Sequence, residues 1–396
     1  MVQNMSAKSH REMHLSVLRV LGFHRPQVCL TPNLKKLNWH TPVAWLSGVL
    51  MFLSSSVKCL KATCLDLNKL LILAIPLVPD LTTVDLHCDE SYSTYDIAIN
   101  LSKLSRIRHI RLKGETTDHD RSLTCLTSLR HLEYLDIDLE SDTELPVLSP
   151  TSFSALRSLS ICCDPEQTAD IIKALDPPSM IHLKISFRDI VTGDELIGTF
   201  EAIRQLKNNT DLQVVHIGIP FDLDTTTVTT DDMQPLLQIS SLQQLHFDGS
   251  LVWDVSDDDI ETISKSWPLL TRLRLEHTGF QQPTLKGLLC LVSNLPHLRD
   301  VGMGIDGISI PHTDYTSAEV YPHLLSLRLV SEAEVGDSGA VARFLSLTFP
   351  NACFTASPSP GTSDETETHR RWEQVAHLAP MFQAVRREEE LRYRYR

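Results

Sequence analysis

A six-residue pattern, apolar-x-x-apolar-x-apolar, recurs thirteen times along this chain of 396 residues. It reads LKKLNW from Leu34, VKCLKA from Val57, LTTVDL from Leu81, IRHIRL from Ile107, LEYLDI from Leu132, LRSLSI from Leu156 and MIHLKI from Met180. It continues as LQVVHI from Leu212, LQQLHF from Leu242, LTRLRL from Leu270, LRDVGM from Leu298, LLSLRL from Leu324 and FPNACF from Phe349. The third apolar residues run Trp39, Ala62, Leu86, Leu112, Ile137, Ile161, Ile185, Ile217, Phe247, Leu275, Met303, Leu329 and Phe354, at a mean spacing of about 26 residues. Self-similarity at such a period means that each unit stacks on its neighbours rather than building a core alone.

The spacing matches leucine-rich repeats. The fold class is therefore α/β: a leucine-rich-repeat solenoid, a right-handed arc with parallel strands on the concave face and helices and turns on the convex face. Within each strand the second and third apolar residues point inward and the residue between them points out. Longer return segments read as helices. Thr192-Gly-Asp-Glu195 is a capping box, followed by Leu196, Phe200, Ile203 and Leu206 at helical spacing. Ser256 with Asp257, Asp258 and Asp259 opens another helix, whose apolar face includes Ile260, Ile263 and Trp267. Asp142–Ser152 has no such period and reads as turns. The Asn that usually follows the strand in such repeats is missing, so loop amides need other acceptors.

The solenoid covers 30–356, about 13 units, behind an N-terminal cap or remnant at 1–29 that holds one degenerate unit, LSVLRV from Leu15. Residues 357–367 form a linker, and 368–396 a C-terminal capping helix with Trp372, Val375, Leu378, Phe382 and Val385 on one face and a kink at Pro380.

Composition excludes several functions. A net charge of −14 argues against nucleic acid as a partner. The apolar stretches at Leu46–Leu53 and Leu70–Val78 are too short to span a bilayer and read as buried segments, so no membrane is implied. Nine scattered cysteines without a disulfide framework, and no secretory signal, point to the cytoplasm or nucleus. Asn-x-Ser/Thr matches at Asn4, Asn100 and Asn208 are then chance.

Three motifs suggest chemistry and fail on context. Gly302-Met-Gly-Ile-Asp-Gly307 fits a dinucleotide fingerprint, but Pro311 blocks the helix that must follow. Gly336-Asp-Ser-Gly339 resembles a serine-protease nucleophile loop, but no His or Asp motif accompanies it, and Ser338 reads as the start of a helix. Asp222–Glu261 holds ten acids and no Lys or Arg, which reads as helix capping and a solvated face. The seventeen histidines show no metal-ligand spacing. The sequence thus implies no catalytic residue, no metal and no cofactor.

The outward residue of each strand follows from the period: Asn38, Lys61, Asp85, Arg111, Asp136, Ser160, Lys184, His216, His246, Arg274, Gly302 and Arg328. Five are basic and two acidic, in an acidic chain. Lys61, Asp85, Arg111, Asp136, Lys184, His216, His246, Arg274 and Arg328 are the candidate partner-binding residues, suited to a protein with acidic or phosphorylated features. Charge pairing between strands, for instance Arg111 with Asp85 or Asp136, is the alternative.

The segments LTPNLKKLNW, PHLLSLRL and FPNACF, with the tail RWEQVAHLAPMFQAVRREEE, resemble the leucine-rich-repeat region of the large F-box family of mushroom-forming fungi, over roughly residues 15–390. The resemblance implies a substrate-recognition part of a ubiquitin ligase, with a protein substrate on the concave face and a cullin-ligase adaptor as partner. Residues 1–29 are too few for an F-box, so adaptor docking requires one ahead of Met1. A stand-alone scaffold without ligase coupling is the other expectation, and an enzyme with a site between repeats a third.

Overall fold

The computed structural model describes residues 4–6, 29–40, 46–63, 67–87, 94–114, 122–139, 152–220, 226–249, 251–275, 279, 281–311, 320–330, 334–357 and 366–394. The chain divides into two compact units. The first is Met1–Ile181 with Leu206–Asn208, and the second is His182–Gln205 with Asn209–Arg396.

The first unit contains β1 (Asn4–Ser6), β2 (Lys36–His40), β3 (Cys59–Thr63), β4 (Thr83–His87), β5 (His109–Lys113), β6 (Tyr134–Asp138) and β7 (Ser158–Cys163). They lie side by side in chain order, all parallel. Its helices are α1 (Leu46–Leu50), α2 (Leu67–Ala74), α3 (Thr94–Ser102), α4 (Ser122–Leu126) and α5 (Pro165–Leu175). The degenerate unit at Leu15 and the Asp142–Ser152 turn fall outside the described residues, apart from Ser152.

The second unit repeats the plan. Its strands β8 (His182–Phe187), β9 (Val214–Gly218), β11 (Gln244–Asp248), β13 (Arg272–Leu275), β14 (Asp300–Gly304), β15 (Ser326–Val330) and β16 (Cys353–Ser357) are parallel and in chain order. A separate parallel ladder joins β10 (Thr226–Thr229) to β12 (Leu251–Asp254). The helices are α6 (Gly193–Arg204), α7 (Gln234–Leu237), α8 (Asp257–Ser266), α9 (Leu285–Asn294), α10 (Ser338–Thr348) and α11 (Glu367–Arg394). Each unit is thus an α/β leucine-rich-repeat solenoid.

Register follows the apolar triplets. Trp39, Ala62, Leu86, Leu112, Ile137 and Ile161 are lateral neighbours in the first unit. Ile185, Ile217, Phe247, Leu275, Met303 and Leu329 are neighbours in the second. All twelve are buried. The last repeat differs from the sequence reading: Phe354 pairs with Leu327, and Ala356 takes the place opposite Leu329. The slip is two residues, an even number, so Phe354 still faces the core.

A second ladder locks the repeats at the strand entrances. One carbonyl accepts two successive amides from the next repeat. Lys35 O takes Lys58 N and Cys59 N at 2.8 and 3.1 Å, and Lys58 O takes Thr82 N and Thr83 N at 2.9 and 3.0 Å. Thr82, Arg108 and Glu133 continue the series, as do Gln213, Gln243, Thr271 and Arg299 in the second unit. In the second unit, carboxylates at other positions accept two of the loop amides. Asp254 accepts Gln281 N at 2.9 Å, and Asp257 accepts Thr284 N at 2.7 Å. A loop amide left without an acceptor would be destabilising, so these acids hold consecutive repeats together.

Helix starts obey the sequence. Thr192 and Glu195 form a reciprocal capping box at α6, and Ser256 and Asp259 another at α8. Trp267 is fully buried and donates its indole N–H to Leu236 O at 3.0 Å. The Leu46–Leu53 stretch buries Val49, Met51, Phe52 and Leu53. The Leu70–Val78 stretch departs from expectation: Leu70, Leu71 and Ala74 are buried, but Ile72, Leu73 and Leu77 are exposed. A helix one side of which packs on strands leaves its far side in water, whatever residues stand there. Among the described residues, no helix is long and apolar enough to cross a membrane.

Helix α11 packs on α10 and β16. Trp372, Val375 and Ala379 are buried, and Gln383 donates to the carbonyls of Phe349 and Ala352 at 2.8 and 3.1 Å. The helix runs through Pro380, which is exposed. Val385, expected on the buried face, is 53% exposed.

Candidate functional site

The outward residues form one row in each unit. In the first, Asn38, Lys61, Asp85, Arg111, Asp136 and Ser160 are lateral neighbours on β2 to β7. In the second the row is Lys184, His216, His246, Arg274, Gly302, Arg328 and Thr355, on β8, β9, β11, β13, β14, β15 and β16. Further outward positions lie two residues before or after the row on the same strands.

The first row is a chain of alternating charges. Lys61 pairs with Asp85, and Arg111 lies 3.9 Å from Asp85 and 2.8 Å from Asp136. Lys113 bridges Asp136 at 2.9 Å and Asp138 at 2.8 Å. The Arg111 guanidinium also donates to the Tyr134 hydroxyl at 2.9 Å, and that hydroxyl donates to Asp136 at 3.3 Å. Burial opposes the charge on Asp136, whose side chain is only 6% exposed, yet Lys113, Ser160 and Arg111 outweigh it and hold the carboxyl below its usual range. The Tyr134 hydrogen bond, then Asp136, holds the guanidinium firmly charged against partial burial. The cross-strand pairing expected for Arg111 is therefore present with both Asp85 and Asp136.

The second row is built differently. None of its residues is acidic. Asp300, one outward position earlier on β14, accepts from Arg272 and Arg274, each at 2.9 Å. Arg274 and Arg328 stand on either side of Gly302, where a Cβ would lie 3.4 Å from Arg274 Cγ and 3.6 Å from Arg328 Cβ. Lys184 is exposed.

His216 and His246 sit directly opposite each other with rings stacked at 4.5 Å. Both aim Nε2 at Asp248, at 2.6 Å and 2.7 Å. Burial works against ionisation of Asp248, but the two imidazoles overcome it and push its carboxyl well below the ordinary range. Linear spacing could not reveal this trio, since its members are 30 and 2 residues apart. The repeat ruler could, because it places both histidines at one row position and Asp248 two residues further on.

Counting every outward position of β2 to β7 gives four cations (Lys36, Lys61, Arg111, Lys113) and three acids (Asp85, Asp136, Asp138). The same count over the row strands of the second unit gives four cations (Lys184, Arg272, Arg274, Arg328) and two acids (Asp248, Asp300). Over these described strand positions both units are therefore net basic, in a chain of net charge −14.

The motifs set aside above have structural roles. Gly302–Gly307 runs from β14 into isolated bridges to Thr284 and Val335, and no helix opens at Gly307. Asp337 caps α10 by accepting Gly339 N and Ala340 N, and Ser338 is buried, its hydroxyl donating to Arg371 O at 3.3 Å. In the acidic stretch, Asp232 accepts from the amide and hydroxyl of Thr229, each at 2.8 Å. Asp254, Asp257 and Asp259 hold loops and caps as described. The buried Asn100 side chain donates to Asn68 and to Asp96 O, which suits a chance glycosylation match.

No protein-family model matches the chain, and no curated protein matches it in sequence. Among solved structures, the chain is similar to one in the crystal structure of the Rad7 and Elc1 complex in yeast, at 13% identity and a TM-score of 0.46 over 88% of this chain and 84% of that chain.

Proposed function

We propose that this chain is a protein-interaction scaffold whose outward strand faces hold an acidic or phosphorylated segment of a protein substrate. The observation that carries the reading is the sign of those faces: basic on both units, against the charge of the whole chain. The second row is the stronger candidate. Arg274 and Arg328 flank a position without a side chain, where a carboxylate or phosphate could be gripped by two guanidinium groups. The first row differs in carrying its own acids, Asp85 and Asp136, between Lys61, Arg111 and Lys113.

The role of substrate receptor in an F-box-type ubiquitin ligase rests on the resemblance of the repeats and the closing helix to that family. In this reading α11 covers the last repeat, keeping Trp372 and the Phe349 carbonyl from water.

The test is affinity capture from cells, with and without proteasome inhibition, using the wild type and the triple variant K184E/R274E/R328E. The wild type should enrich acidic or phosphorylated proteins, more so when degradation is blocked, and the variant should lose them. Capture should also weaken as salt rises. Enrichment unaffected by the triple charge reversal would remove the row from the function. Enrichment insensitive to proteasome inhibition would favour a scaffold uncoupled from degradation.

A further inference from the structure

We propose that His216, His246 and Asp248 form a binding site for a borderline divalent transition-metal ion, of which Zn2+ is the representative. Among the described residues this is the one group of three or more His, Cys, Asp or Glu side chains whose ligand atoms converge, all within 4.8 Å of one another. The convergence is a product of the sheet. His216 and His246 are register partners on β9 and β11, and Asp248 faces the same way two residues after His246. The fourth corner of this square is Gly218, the register partner of Asp248, which adds no side chain. That leaves Asp248 able to reach diagonally to His216 as well as along its own strand.

The donor set selects the ion. Two imidazole nitrogens and one carboxylate oxygen suit Zn2+, Co2+ or Ni2+, whereas Ca2+ and Mg2+ favour oxygen-only cages. The separations of 2.6 and 2.7 Å between each Nε2 and the carboxylate are those of hydrogen bonds. Metal–ligand bonds of about 2.0–2.2 Å around a tetrahedral ion need donors slightly further apart. Small rotations of these three partly buried side chains supply that. Three protein ligands leave one tetrahedral position open to solvent on the outward face. Lys184 and Arg274, the row neighbours on either side, repel a cation. The site should therefore bind with a dissociation constant of about 1–100 µM rather than nanomolar.

The experiment titrates the full chain with Zn2+ against a competing chromophoric chelator, alongside His216→Gln and Asp248→Asn. The expected result is one equivalent bound by the wild type, with affinity reduced at least about tenfold in each variant. X-ray absorption of the wild-type Zn2+ complex supplies a second readout that needs no folded variant. A shell of nitrogen and oxygen with imidazole scattering supports the site. A sulfur shell assigns the ion to cysteines and overturns it. No binding by the wild type at about 100 µM Zn2+, or equal binding by wild type and folded variants, also overturns it and leaves the trio as a hydrogen-bonded clamp.

Discussion

Replacing Asp136 with Asn tests whether the first row is held together by charge. The carboxylate sits between Arg111 and Lys113 at 2.8 and 2.9 Å, and its side chain is 6% exposed. Removing one member of a fully buried ion pair costs about 3–5 kcal/mol. Here the cations are 44% and 33% exposed, and each keeps another partner, Tyr134 for Arg111 and Asp138 for Lys113. The expected cost is therefore about 2 kcal/mol. Asp85→Asn, at a side chain 21% exposed, should cost less than about 1 kcal/mol. Hydrogen exchange read by mass spectrometry is the appropriate assay, because repeat arrays open regionally rather than all at once. Amides of β5, β6 and β7 should exchange roughly 30-fold faster in D136N, a loss of about 2 kcal/mol, while β13 to β15 should be unchanged. The pH dependence has a definite sign. The Asp136 carboxyl is held below its unfolded value, so its contribution is complete above about pH 4 and disappears as pH falls through the folded value. The wild type should lose protection in these strands on acidification, and D136N should lose less. Equal exchange in D136N and wild type at neutral pH, or a larger effect from D85N, would refute this account of the row.

Gly249→Ala should be among the most damaging single changes. Gly249 has φ +105°, and a Cβ there would lie 1.7 Å from Ile219 O, so the loss should be about 3 kcal/mol or more, read as a fall in the urea midpoint of the second unit. Trp372→Ala removes a fully buried side chain that lies against Gly307, and should cost about 3–5 kcal/mol, with proteolysis of α11 and α10 appearing before cleavage elsewhere in the second unit. Cleavage starting at another site would show that α11 does not protect the last repeats.

The repeats were legible because strand burial has a period of two and the units are nearly equal in length. The triplets therefore mark the core without reference to loops. The last repeat misled for the same reason: Phe349, Ala352 and Phe354 satisfy the pattern, but Ala356 also fits a core position, and an alternating strand accepts either register. Lateral neighbours are a different matter. Arg111 with Asp136 could be anticipated, since both stand at the same row position in adjacent units. Lys113 with Asp136, Arg274 with Asp300 and His216 with Asp248 are diagonal. The repeat ruler brings such residues near one another, but which long side chain leans across to which acid is set by packing that periodicity does not encode.

The two rows also differ in what the fold alone requires of them. Like charges directly opposite across strands are destabilising, and opposite charges are favourable. The first row obeys this rule, with Lys61, Asp85, Arg111 and Asp136 alternating in sign from strand to strand. The second holds Lys184, Arg274 and Arg328 with no acid at the row position, and recruits its two acids from flanking positions. A surface selected for stability alone would put an acid in that row, at Gly302 for example, between two arginines. Without one, Arg274 takes its acceptor from Asp300 rather than from the row itself, so the row keeps a positive sign that stability does not require, and that sign makes it the place to look for the partner.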